Sequence, residues 1–102
     1  MSRRSFDIVL SELAQHDLTD ILQYTLETWG ADQMDAYAAK LESGIQLLQK
    51  NPALGKTRED LFEGCRTHRV EHHLVLYEIG DSEIRVARIL HERMDAHSQF
   101  AD

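Results

Sequence analysis

The sequence predicts an α+β fold in the order β-α-α-β-β-β, with a helical hairpin packed on one face of a small, mainly antiparallel sheet. Three observations predict it. A helical apolar period runs twice, on either side of Gly30; the pattern changes to strand alternation after Gly64; and one short apolar run, FDIVL, precedes both helices.

The first strand is expected over residues 6–10, an apolar run that stops at Ser11. Ser11 can accept a hydrogen bond from an orphan N–H of the next turn, and Glu12 sits where the helix dipole favours a negative charge. A helix is therefore expected over 11–29, with Ala14, Leu18, Ile21, Leu22, Thr25 and Trp29 along one face and Gln15, Asp17, Asp20, Gln23 and Glu27 over much of the rest. Gly30 supplies a left-handed C-cap. A second helix follows, with Met34, Tyr37, Ala38, Leu41, Ile45 and Leu48 in phase, and ends at Lys50-Asn51-Pro52 because proline restricts the residue before it to extended conformations. Gly44 lies on the apolar side of this helix, where it either permits close approach of the first helix or the sheet or is a tolerated surface glycine.

Residues 52–63, PALGKTREDLFE, hold turn formers and five charged residues and read as a connecting loop, anchored by Leu61 and Phe62. Three strands follow as an antiparallel meander. CRTHRVEH alternates, HLVLYEI is nearly continuously apolar and hence central, and EIRVARIL alternates again after Gly80-Asp81-Ser82. The N-terminal strand is expected to join this sheet.

A chain of 102 residues, 42% of them hydrophobic, reads as one domain over 1–102, with 1–5 and 98–102 expected to be loose. Nothing resembles an export signal or a membrane span, and the single cysteine, Cys65, cannot form an internal disulfide, so a reducing cytoplasm is the expected setting. Net charge is −7: four basic residues face eight acidic ones up to Gly55, and seven face ten beyond it. Nucleic-acid affinity comes mainly from Lys and Arg at phosphates, so this chain is a poor nucleic-acid binder on its own. A protein partner is favoured.

The candidate chemistry is weak. His68, His72, His73, His91 and His97 fall in the last 35 residues, but His72 and His73 are neighbours on an expected strand and should point to opposite faces. No metal-ligand spacing is present, and neither a metal nor another cofactor is expected. Cys65 is expected to pack toward the helices or the sheet edge. Arg66 and Arg69 should alternate, placing at least one on the sheet face away from the helices.

Over 6–97 the chain resembles the ParE/RelE toxin superfamily of type II toxin–antitoxin systems, and its ParE branch in particular. LSELAQHDLTDILQYTLETWG resembles that family's first helix; the Asn-Pro-x-Leu-Gly turn in NPALGKTRED is the sharpest signature; GCRTHRVEHHLVLYEI resembles the two central strands; and VARILHERMD resembles the last strand with its His-x-Arg exit. The resemblance implies a growth-inhibiting toxin neutralised by an antitoxin that pairs a ribbon-helix-helix DNA-binding part with a helical tail. Trp29, Arg66 and Arg69 are candidate antitoxin contacts, and an acidic toxin suits a tail bearing Arg or Lys. His91, Arg93, Met94 and Asp95 fall in the region that the resemblance ties to toxicity, so they are candidate contacts to the target, DNA gyrase, inhibited by binding with no catalytic residue. A structural alternative pairs Arg93 with Asp95 or Glu92.

The RelE branch instead cuts mRNA in the ribosome, using arginines, lysines and often a tyrosine. Arg66, Arg69, Arg85, Arg88 and Arg93 offer cations here. Leu74, however, stands where ribonuclease members place a basic residue early in the central strand, and His97 or Phe100 stands near the position of their late tyrosine. Both departures argue against cleavage. A decayed toxin that only captures an antitoxin is the third reading, and the resemblance leaves open plasmid maintenance or a stress response as the role.

Overall fold

The computed structural model describes residues 6–100. Strand β1 (Asp7–Leu10) leads into α1 (Glu12–Trp29) and α2 (Ala31–Lys50); a 3-10 turn (Pro52–Leu54) and a two-residue strand β2 (Lys56–Thr57) precede β3 (Arg66–Val70), β4 (His73–Ile79) and β5 (Glu83–His91). The sheet runs β1-β5-β4-β3-β2, antiparallel except for the parallel β1–β5 pair. The expected order stands, with β2 added where only loop was expected. No helix is long and apolar enough to cross a membrane among the described residues.

Ser11 starts α1 as the sequence suggests, its Oγ accepting from Ala14 N–H at 2.9 Å. The same hydroxyl donates to the Ala87 carbonyl at 2.6 Å, tying the helix start to β5. Gly30 serves both helices, donating to the Leu26 carbonyl and accepting from Met34 N–H. It is the C-cap of α1 with the positive φ expected, 93°, and its extended ψ of 172° leads the chain directly into α2. Gly44 does permit close approach: a Cβ there would lie 2.5 Å from Val70 Cγ2 on β3, so it is the sheet that comes near.

The core between helices and sheet holds Ala14, Leu41, Ile45, Leu48, Val75, Tyr77, Ile84, Val86 and Ile89. A second apolar cluster, Leu61, Cys65, Leu76 and Leu90, lies on the reverse face, with Phe62, Leu74, Ala96 and Phe100 against it. Two expectations change here. Cys65 packs on the face away from the helices, because the loop after β2 folds under the sheet; burial pushes its thiol up to about 11, which suits packing and not nucleophilic work. Residues 98–100, expected to be loose, include part of a 3-10 turn (His97–Gln99), and Phe100 stacks 5.3 Å from Phe62. What was expected of 1–5 and of 101–102 lies outside the described residues.

One irregularity decides the geometry of the site. Leu76 pairs with Arg88 but Tyr77 pairs with Val86, so Ala87 is an extra residue in β5. A bulge of one residue exchanges the faces of everything beyond it. Ile84 and Val86 face the helices before it, Ile89 and His91 after it, and Leu90 turns to the reverse cluster. Simple alternation through EIRVARIL would have put Leu90 with Val86.

Candidate functional site

α1 is more apolar than the sheet can cover. Only Ala14 is buried in it, while Leu13, Tyr24, Leu26 and Trp29 are exposed, Trp29 to 68%. The far half of the hairpin projects beyond the sheet and leaves a groove of about 790 Å³. α1 lines it with Asp17, Asp20, Ile21, Tyr24, Thr25 and Trp29, and α2 with Gln33 and Tyr37. The opposite wall is His72 and His73 at the start of β4, then Arg88, Ile89 and His91 of β5, and Met94.

Two polar systems shape this groove. On one side Asp17 receives Arg88 Nε and Nη2, both at 2.8 Å, and the Ile89 N–H at 3.0 Å. The pair bridges α1 to the stretch of β5 that has β4 on one side and, beyond the end of β1 at Leu10, no strand on the other among the described residues. On the other side Tyr37 Oη accepts the His72 N–H at 3.2 Å and lies 2.6 Å from His73 Nδ1. We assign the Tyr37 proton to this short bond, which places the His73 proton on Nε2. Its ring meets His91 edge to face at 5.2 Å, a contact that exists only because the bulge turns His91 inward.

Burial, then the neighbouring His91 and His72, push the His73 imidazole down to about 4, so it is neutral at neutral pH. The unfolded chain takes up this proton near 6.5 and the folded chain only near 4. The unfolded state thus binds more protons between these values, and stability is lost as pH falls through that window, at about 1 kcal/mol per pH unit. The shift of His68, also downward through burial, has the same sign. Urea midpoints at pH 7 and pH 5 should show the loss, and His73→Phe should flatten it; an unchanged slope in that variant would place the titration elsewhere.

His72 departs from expectation. β3 ends at Val70, Glu71 adopts φ 55°, and His72 lies in the hairpin turn instead of on a strand, so it and His73 border the same groove. His72 Nδ1 lies 2.8 Å from Glu92 Oε2, and Arg69 Nη2 holds the other oxygen at 2.6 Å.

The sequence candidates separate accordingly. Trp29, His91 and Met94, expected to serve two different partners, share one groove. Arg66 donates to the Ala53 and Gly55 carbonyls and braces the turn before β2. Arg69 faces away from the helices, paired with Glu92 and bonded to the Glu71 carbonyl. Asp95 Oδ1 accepts the His97 N–H. Arg93 is exposed, and its guanidinium forms no hydrogen bond or ion pair among the described residues. The pairing with Glu92 or Asp95 offered as a structural account of Arg93 is absent, because Arg69 and His72 occupy Glu92. Among the described residues no group of three His, Cys, Asp or Glu could hold a metal.

Residues 8–96 match the model of the ParE toxin of the type II toxin–antitoxin system parDE. The chain belongs to the ParE toxin family. It is 43% identical over 96 residues to Toxin ParE of Escherichia coli, covering 92% of each chain, and 34% identical over 91 residues to Toxin ParE1 of Caulobacter vibrioides, covering 89% of this chain and 94% of that one. The fold is shared with a chain of the chromosomal ParDE toxin–antitoxin system of P. aeruginosa at a TM-score of 0.73 and 19% identity, over 84% of this chain and 95% of that one. This ParE-family chain is thus the toxin of a type II toxin–antitoxin system. Asp17, Tyr37, His73 and Arg88 were missed as site residues: Tyr37 reads as core in a helical stripe, and Asp17 as a solvated polar position.

Proposed function

We propose that this toxin arrests growth by binding DNA gyrase through the exit of β5, without catalysis of its own, and that an antitoxin helix seated in the groove neutralises it. The observation that carries the target reading is Arg93. Arg58, Arg66, Arg69, Arg85 and Arg88 are all held by carboxylates or carbonyls of the chain itself, whereas Arg93, exposed beside exposed Met94, has no partner among the described residues. A desolvated Arg next to an apolar side chain is the composition of an interface hot spot. His91 and Asp95 flank it, and His91 also lines the groove, so a groove-bound antitoxin would lie against the target surface.

The antitoxin reading is supported by family membership, by the P. aeruginosa relative being a ParDE system, and by the groove's apolar lining, which suits an amphipathic helix. We assign Trp29 to that helix, and Arg66 and Arg69 to the chain that continues beyond it. A ribbon-helix-helix part would then bind DNA for the complex. Purified toxin should inhibit gyrase supercoiling, and Arg93→Ala should weaken inhibition by about tenfold or more at unchanged thermal stability. Unimpaired supercoiling at saturating toxin sinks the gyrase reading.

The second reading, ribosome-dependent mRNA cleavage, draws on one observation: Glu92 orients His72 in the presence of Arg69, an arrangement able to move a proton near a cation. It requires codon-associated cuts that disappear in His72→Ala. Normal growth on induction without antitoxin would instead select an inactive antitoxin-binding module.

A further inference from the structure

The groove's charges do not cancel. Asp17 and Arg88 neutralise each other, and His72 is matched with Glu92. Asp20 remains, exposed on α1 and without an ion pair or hydrogen bond among the described residues. Tyr24 stands one turn along from it, where side chains four apart meet, and Trp29 continues the wall. Both rings are exposed, and that of Tyr24 stands beside a free carboxylate, the surroundings in which an aromatic face attracts a cation most effectively.

A second feature of the groove points to an occupant. His73 is 9% exposed, its Nδ1 is taken by Tyr37, and its Nε2–H has no partner among the described residues. No buried side-chain polar atom is left unsatisfied among those residues, so this N–H opens into the groove and not into packed protein. It is a fixed, neutral donor on an otherwise apolar floor, suited to one acceptor.

We propose that the groove selects a basic amphipathic helix, seating a guanidinium or ammonium against Asp20 and the Tyr24 ring, with Trp29 further along the same wall, while an acceptor of the same segment takes the His73 Nε2–H. The proposal rests on the reading of the groove as the antitoxin's seat and adds its chemical selectivity. A neutral His73 matters here, because a charged imidazole on the floor would repel the incoming cation. An acidic helix would meet Asp20 unfavourably and find no free cation on the groove walls.

Three synthetic helical peptides with one Leu/Ala face, carrying arginine, citrulline or glutamate at the flanking polar positions, test it against the full chain. Emission from Trp29, the single tryptophan, reports occupancy. The arginine peptide should bind about tenfold more tightly than the citrulline peptide at low salt, with the glutamate peptide weakest. Asp20→Asn should remove that preference and leave citrulline-peptide affinity unchanged. An arginine preference that survives Asp20→Asn would arise from the overall charge of −7 and overturns the inference. Equal affinity for arginine and citrulline peptides also overturns it but leaves the docking reading standing, whereas silence of Trp29 toward all three overturns both. In ¹⁵N imidazole spectra the His73 Nε2–H should become protected from exchange on binding; an unprotected proton removes His73 from the site.

Discussion

Asp17→Ala should destabilise the chain by about 3 kcal/mol, a large part of the 5–15 kcal/mol typical of a folded domain. The Asp17 and Arg88 side chains are each only 14% exposed, so their fork-to-fork pair sits where removing one partner strands the other. Without the carboxylate, Arg88 retains only Gln99 at 3.4 Å, and the Ile89 N–H loses its acceptor on the edge of β5 opposite β4. Both losses add to the cost. Asp17→Asn keeps one acceptor and should cost less. Arg88→Met placed on Asp17→Ala should recover part of the loss, because the stranded charge goes with it. Urea denaturation measures all three, and hydrogen exchange at Ile89 should speed up before the rest of β5. A cost under about 1 kcal/mol for Asp17→Ala would mean that water reaches this edge freely and that the pair is a surface one.

The same pair shows where sequence reasoning stops. Helices and meander were legible because each depends on a local period: the stripe from Ala14 to Trp29, the stop at Asn51-Pro52, and the change to alternation after Gly64. Family motifs then placed the toxin fold, which the match over residues 8–96 supports. Ala87 was not legible. A bulge is a slip between two strands, and a single strand carries no mark of it beyond a small residue in an alternating run. From that slip follow His91 facing His73, Leu90 joining Leu76, and the groove having a histidine floor. The reverse cluster escaped for a related reason, since Leu61, Cys65 and Phe100 come from segments with no shared period. Trp29, His91 and Met94 could be named singly; that they face one cavity is a property of the folded sheet.

Tyr77→Phe should cost about 2–3 kcal/mol although it removes only one oxygen. Tyr77 is fully buried in β4, and its hydroxyl donates to the Pro52 carbonyl at 2.6 Å while accepting the Gly55 N–H at 2.9 Å. Those two groups belong to the second and last residues of the Asn-Pro-x-Leu-Gly turn, so one side chain in the sheet clamps the exit of α2. Phenylalanine fills the same space and leaves both backbone groups without a partner, and an orphaned buried group costs more than the bond itself contributed. Gly55 is there for the same reason: a Cβ would lie 2.6 Å from the Tyr77 oxygen and 2.7 Å from the Thr67 carbonyl, so Gly55→Ala should be at least as damaging. Arg66, bonded to the Gly55 carbonyl at 2.8 Å, braces the outer side of the turn. None of these groups lines the groove or the β5 exit, so at a temperature where Tyr77→Phe remains folded, its inhibition of gyrase should match the parent chain. Reduced stability with retained inhibition separates the turn's role from the toxin's; a loss below about 0.5 kcal/mol would show that water replaces the hydroxyl and that the signature turn is held by Arg66 and Gly55 alone.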